Sequence, residues 1–357
     1  MAPMGLIASP ASPFMWTSPT PEQAGFAPDA ASRLETTMAR GSFKGLHGLL
    51  VVRDGYLAME AYTQAPDERW GEPLGVISHG AGRLHDVRSV TKSIVSLLYG
   101  MALADGLVPK ASARLVEQFP DYADLASDPR RKRISMGHVL SMRMGFEWHE
   151  DLTYSDPMNG ERQMESASDR YRHILSRPMV ENPGASWVYC GGSTALLGHL
   201  IERGTAERLE DYAKRRLFDP LGIDSFEWVE GSDHHASASS GLRLRPRDLA
   251  RIGQMVLDRG FWNGRRVVPA GWLATSFKPR ASIESGLRYG YQWWIGALVA
   301  NGKPWYAAFG NGGQRLFVIP SLKMIVVILA GNYNAAGQWK MPVELMSKIV
   351  MPAVVER

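Results

Sequence analysis

Three short stretches of this chain carry residue types and spacings that could do chemistry. Ser89-Val90-Thr91-Lys92 sets a hydroxyl and an amine three positions apart, and on a helix such residues share a face. Ser89 then falls in the first turn, where unpaired N–H groups and the positive end of the helix dipole favour a developing oxyanion. Lys92 lies one turn deeper. Burial lowers a lysine pKa, so a partly neutral Lys92 is expected to accept the serine proton.

The second stretch runs from Pro183-Gly184 through Trp187-Val188-Tyr189 to Gly191-Gly192-Ser193. A turn leads into an aromatic loop, and Ser193 reads as the N-cap of the next helix. Tyr189 is thus presented from a loop. A phenol beside a lysine cation has its phenolate favoured, so it can share or relay the serine proton. The third stretch is Gly310-Asn311-Gly312-Gly313-Gln314 leading into a strand. Glycines there let a ligand approach the backbone, and a backbone N–H can complete an oxyanion hole.

Other constellations fail on their own chemistry. Gly191-Gly192-Ser193-Thr194-Ala195 lacks the last glycine of a nucleophile elbow and the strand before it. His149-Glu150 is no zinc helix, because Thr153 stands where the second histidine is needed. Asp233-His234-His235 reads as a polar loop, since adjacent histidines point apart. Cys190 has no neighbouring base and reads as a small buried residue. No metal site is expected.

The elements that must hold these groups are visible in the periodicity. His47 to Arg53 and Tyr56 to Tyr62 flank Asp54-Gly55, a hairpin signal. Val90, Ile94, Leu97 and Met101 form the apolar stripe of a helix, with Ser89, Lys92, Ser93 and Ser96 on its other side. Leu196, Leu197, Leu200 and Ile201 mark a second helix, and Leu209, Tyr212, Ala213 and Leu217 a third. Strand runs return at Trp305 to Phe309, Arg315 to Ile319 and Met324 to Ala330, and a last helix is expected after Pro342. Strands at both ends with helices between predict an α+β fold: one antiparallel sheet built from both termini and flanked by helices. Residues 1–85 plus 243–357 would form the α/β domain and 86–242 an inserted helical domain, with the active site in the cleft between.

In this order along the chain, the motifs resemble those of the serine β-lactamase and penicillin-binding-protein superfamily. The likeness is greatest to its β-lactamase-related hydrolases, the AmpC-like esterases and 6-aminohexanoate-dimer hydrolases. It extends over His85 to Ser93, Leu140 to Gly145, Leu217 to Gly222, Arg247 to Gly253 and Tyr289 to Trp294. The resemblance implies a β-lactamase-like fold, with Ser89 as nucleophile, Lys92 as its activating lysine and Tyr189 as the tyrosine of a Y-x-N motif. Asn311 and Gly313 would fall on the substrate side, where the family has K-T-G or H-x-G. The backbone N–H of Gln314 would join that of Ser89 in the oxyanion hole. Arg315 should point to the other face of its strand and is not counted. Tyr154, in Tyr154-Ser155-Asp156-Pro157, resembles a substrate-side tyrosine of the nylon-oligomer hydrolases. Trp187, Tyr291, Trp293 and Trp294 are candidates for an acyl pocket.

Two positions depart from the pattern: Gly191 replaces the motif asparagine and Asn311 the K-T-G lysine. A neutral amide at 311 removes a charge-assisted bond to a β-lactam carboxylate, in general about 1.5–3 kcal/mol. Weak or no β-lactamase activity is therefore expected. The reading is a serine hydrolase that cleaves esters or amides of small acyl groups through a Ser89 acyl-enzyme, without metal or organic cofactor. The alternatives are a non-catalytic ligand-binding protein on the same fold, and a weak β-lactamase or D-amino-acid peptidase.

Composition narrows the class further. The 357 residues are 45% hydrophobic and 21% charged, ordinary for a globular protein. A single cysteine excludes a disulfide framework and a cysteine-based zinc site. The net charge is +4, and the only basic run, Arg130 to Arg133, reads as a solvated loop, which argues against a nucleic-acid partner. Met1 to Trp16 is broken by Pro3, Pro10 and Pro13 and makes a poor signal peptide. No stretch is long enough to span a membrane, so a cytoplasmic location is expected, with a small molecule as partner and oligomeric state left open.

Overall fold

The computed structural model describes residues 16–17 and 20–355. Of the proline-broken N-terminal stretch, only Trp16 lies within the described residues. Chain reversal at Asp54 and Gly55 needs positive φ at both, and they have φ of 52° and 80°. The turn joins β1 (Leu46–Arg53) to β2 (Tyr56–Tyr62). A second hairpin follows, β3 (Gln64–Arg69) and β4 (Glu72–Ser78), and then the short β5 (His85–Asp86). β6 (Glu227–Trp228) and β7 (Leu242–Leu244) form a small sheet with β5, in the order β5-β7-β6. β8 (Phe261–Trp262) pairs with β9 (Arg265–Arg266). The C-terminal strands are β10 (Ala281–Ser282), β11 (Arg288–Tyr289), β12 (Trp294–Ala297), β13 (Pro304–Gly310), β14 (Gln314–Ile319) and β15 (Met324–Ala330).

The main sheet is antiparallel throughout and ordered β10-β11-β12-β13-β14-β15-β1-β2. N- and C-terminal segments meet where β1 lies against β15, with Leu50 opposite Val327. The Leu-Leu-Val-Val run of β1 is apolar without alternation because both faces of the sheet are covered. Leu50 and Val52 pack on one side with Ile252 and Met255 of the Pro246–Leu257 helix. Leu49 and Val51 pack on the other with Leu34 of the Ala30–Ala39 helix and with Leu345 and Ile349 near the C-terminus.

The Val90–Ala104 helix departs from its amphipathic pattern. Its polar side is as buried as its apolar stripe, including Thr91, Lys92, Ser93 and Ser96. Ser93 donates to the Gln292 carbonyl at 2.6 Å and Ser96 to the Tyr291 carbonyl at 2.9 Å. Hydroxyls matched to carbonyls can be buried at little cost, so this helix runs through the interior. The basic run also differs from a solvated loop. Arg131 is buried and donates to the carbonyls of Leu175 and Arg177, at and just past the end of the Arg170–Leu175 helix, where carbonyls lack intrahelical donors.

Candidate active site

Ser89 reaches its position through a sharp change of direction after β5. Arg88 has φ of 49°, a left-handed conformation that costs a non-glycine residue energy. Its guanidinium is held between the rings of Trp70 and Tyr333, at 4.7 and 4.8 Å from their centroids. It also pairs with Asp86 at 3.2 Å and with Glu68. These contacts hold the bend, and the chain enters the helix with Ser89 at its N-cap. The Ser89 side chain makes no capping bond to its own helix. Its oxygen instead accepts from the Lys92 ammonium at 3.0 Å.

Lys92 corrects the expectation of a partly neutral amine. Its Nζ also meets Glu150 Oε1 at 3.2 Å and the Ser239 carbonyl at 3.1 Å, so three acceptors meet its three N–H bonds. Burial pushes the amine pKa down, but the charges of Glu150, Tyr189 and Glu161 outweigh it and raise the pKa above the ordinary lysine value. The surroundings of Lys92 favour its ammonium form.

The two carboxylates are the functional candidates that sequence reasoning missed. Glu150 receives Trp148 Nε1 at 2.8 Å and the Gly191 N–H. Burial pushes its carboxyl up to about 7, with Lys92 pulling the other way. Glu161 accepts from Ser239 at 2.6 Å, from Ser240 and from the Tyr154 phenol. Lys92 and those hydroxyls outweigh its burial and hold it down at about 2. Glu150 lies beside a failed zinc motif, and nothing in the spacing of Glu161 marks it. Only the fold brings them to one lysine.

Tyr189 comes from the loop before the Gly191–Thr205 helix. Its phenol lies beside the Ser89 hydroxyl, and Lys92 Nζ lies 4.8 Å from its ring centroid. Burial raises the phenol pKa and the Lys92 charge pulls it back. Trp187 and Trp294 lie beside it, with ring centroids 5.9 and 5.8 Å away. Both are half-buried, whereas Tyr291 and Trp293 are core residues against Trp272 and Phe277. The aromatic wall is therefore Trp187 and Trp294, backed by the buried Tyr289.

The glycine-rich hairpin is arranged differently from the sequence expectation. Asn311 exchanges both ends of its amide with Asn334, at 3.0 and 2.9 Å. A side chain at Gly313 would meet Ala330 and Pro342, and the Gln314 side chain is tied to Ala330 and the Asn311 carbonyl. Gly310 is the residue packed on the nucleophile segment: a Cβ there would meet the Val87 carbonyl at 2.4 Å and Arg88 Cβ at 3.2 Å. Arg315 does point away from Gln314, as alternation requires, but that face is the site side. Its guanidinium donates to the Gly310 and Gln314 carbonyls at 3.2 and 2.7 Å and lies 4.3 Å from the Phe309 centroid. Burial lowers its pKa to about 10, and the Tyr189 phenolate would raise it.

The profile of the Beta-lactamase family matches residues 30–336. The chain belongs to that family. A 6-aminohexanoate-dimer hydrolase of Paenarthrobacter ureafaciens is 26% identical over 327 residues, 85% of this chain and 75% of the relative. A lovastatin esterase of Penicillium rubens is 24% identical over 189 residues, 48% of this chain and 46% of the relative. The fold is shared with the octameric penicillin-binding protein homologue of Pyrococcus abyssi (TM-score 0.67, 16% identity, 90% of this chain and 76% of that one). It is shared as well with EstCE1, a hydrolase with promiscuous acyltransferase activity (TM-score 0.67, 13% identity, 91% and 96%).

Within the family pattern, glycine at 191 now has a physical reason. A Cβ there would come within 3.1 Å of Glu150 Oε2 and 3.4 Å of the Glu161 carboxyl carbon. The two carboxylates fill the space an asparagine side chain would take. The helix also starts earlier than expected, with Cys190 rather than Ser193 at the N-cap. The Cys190 thiol is buried and pushed up to about 12, which makes it inert at neutral pH. Of the polar loop residues, Asp233 pairs with Arg170 and His235 with Glu202 at 3.0 Å. No helix among the described residues is long and apolar enough to cross a membrane.

Proposed function

We propose that the chain is a serine hydrolase that cleaves esters or amides of small acyl groups through an acyl-enzyme on Ser89. The observation that carries the reading is the Ser89 hydroxyl at a helix start, 3.0 Å from the buried Lys92 amine and beside the Tyr189 phenol. Ser89 Oγ bonds to the substrate carbonyl carbon while its proton passes to Tyr189. The phenol's own proton passes to the leaving oxygen or nitrogen as that bond breaks. Water then reverses the relay and frees the acid. Lys92 stays an ammonium throughout and stabilises negative charge on Ser89 and Tyr189. The Ser89 N–H at the helix start and the backbone of the 310–314 hairpin, with Gln314 at its end, would hold the carbonyl oxygen. Asn311, Gly313 and Tyr154 would sit at its margin, Tyr154 acting through Glu161.

The names of the relatives support acyl transfer to water from small esters or amides, and the half-buried Trp187 and Trp294 offer an apolar wall for the acyl group. The Asn311 amide, engaged by Asn334, offers no cation for a β-lactam carboxylate. A panel of p-nitrophenyl acyl esters, linear aminohexanoate amides, D-amino-acid amides and a chromogenic cephalosporin tests this. Turnover of short esters or linear amides is expected, with Ser89→Ala lowering kcat/KM by more than about 10⁴-fold. Tyr189→Phe should lower it by about 10²–10⁴-fold. Equal turnover by Ser89→Ala would remove the assignment.

A further inference from the structure

Behind the nucleophile segment lies a second cluster of chemically competent side chains that the hydrolytic reading does not use. His47 on β1, Asp67 on β3, His79 just after β4 and His85 on β5 each direct one ligand-type atom to a common point. Those atoms all lie within 4.8 Å of one another. His47, Asp67 and His85 are buried. His47 Nδ1 is 2.8 Å from His85 Nε2, and Asp67 Oδ1 lies 3.7 and 3.9 Å from these two nitrogens. Ligands about 2.0–2.1 Å from a tetrahedral ion are about 3.3 Å apart, so the spacing brackets that of a four-coordinate site.

Proton positions strengthen the case. His85 Nδ1 faces the Asp86 carbonyl at 2.9 Å. A carbonyl only accepts, so Nδ1 carries the hydrogen and Nε2 presents its lone pair to the cluster. This is the arrangement that orients a metal-binding imidazole. Asp67 is braced in turn by the Glu68 N–H at 2.9 Å and the Tyr333 hydroxyl at 3.2 Å. His47 Nδ1 and the lone pair of His85 Nε2 face each other at 2.8 Å, a separation that needs either one proton or one cation between them.

We infer that His47, Asp67 and His85, with His79 as fourth ligand, bind one divalent first-row transition-metal ion of the zinc class. Neutral imidazoles with one carboxylate suit zinc, and hard cations such as Mg²⁺ prefer all-oxygen sites. The ion would tie the β3–β4 hairpin to β1 and to β5, four residues before Ser89. It holds the nucleophile segment and takes no part in acyl transfer.

The test uses the untagged full chain, stripped with chelator and titrated with ZnCl₂ or CoCl₂. Native mass spectrometry should show one bound zinc, a higher Tm on loading, and cobalt d–d absorption of tetrahedral character. His47→Gln and His79→Gln should lose the cobalt spectrum and bind zinc at least 10-fold more weakly, while His234→Ala/His235→Ala keeps both. A zinc-edge anomalous signal at His85 in crystals of the parent chain gives the same answer should a variant not fold. Absence of stoichiometric zinc in the parent, or equal loading of His47→Gln, or loss of zinc in His234→Ala/His235→Ala would each overturn the inference.

Discussion

At the level of single residues, the surroundings of the lysine beside Ser89 favour its charged form. Glu150 and Glu161 keep it so, and they divide the work. Glu161, held at about 2, is ionised throughout the working range, whereas Glu150, pushed up to about 7, gains its charge near neutrality. Above that point the Lys92–Glu150 pair is complete. The pH profile of kcat/KM should therefore rise through an acid limb near pH 7, and Glu150→Gln should abolish that limb. An unchanged limb in the variant would place it on another group. Glu161 makes a separate prediction for stability. Its folded pKa lies below the unfolded value of about 4.3, so its contribution is present above that pH and fades as the pH falls towards 2. Glu161→Gln should cost about 1.5–3 kcal/mol in urea unfolding at pH 7, because it removes the charge from the bonds that Glu161 accepts from Ser239, Ser240 and Tyr154, and the cost should shrink below pH 4.

At the level of elements, the helix that carries Ser89 and Lys92 was legible in its apolar stripe, and the β1–β2 hairpin in Asp54-Gly55. The burial of the helix's polar side was not. Period reports which residues share a face; it does not report that Ser93 and Ser96 meet carbonyls of the 291–292 turn. Strand alternation told which way Arg315 points relative to Gln314, but only the fold brings its guanidinium to the side of Tyr189 and Phe309. Glu150 and Glu161 were invisible because their partner lies 58 and 69 positions away and no local pattern links them. Close packing of this helix makes its own prediction. A Cβ at Gly100 would come within 2.0–2.4 Å of the Trp272 indole. Gly100→Ala should destabilise the chain by about 1–3 kcal/mol or more through overpacking, measured as a lower urea midpoint. A stability equal to the parent would mean that the Ala270–Ser276 helix can move aside freely.

At the level of the whole molecule, the sheet separates two apolar layers with different duties. One includes Val87, Val90 and Tyr291 and lies under the site; the other, around Leu34, Leu49 and Leu345, lies on the far face. Leu345 is fully buried, so Leu345→Ala should cost about 2–5 kcal/mol. Its kcat/KM at 25 °C should stay within about twofold of the parent, because Leu345 belongs to the layer across the sheet from Val87 and Val90. A large loss of activity in folded Leu345→Ala would couple the far layer to the chemistry. The central claim concerns a bond, and intact-mass spectrometry after a phosphonylating or acylating reagent reads that bond directly. One adduct per chain is predicted, mapping to the peptide that contains Ser89, absent in Ser89→Ala and slowed in Tyr189→Phe; equal labelling of Ser89→Ala, or an adduct mapped to any other residue, would contradict the account.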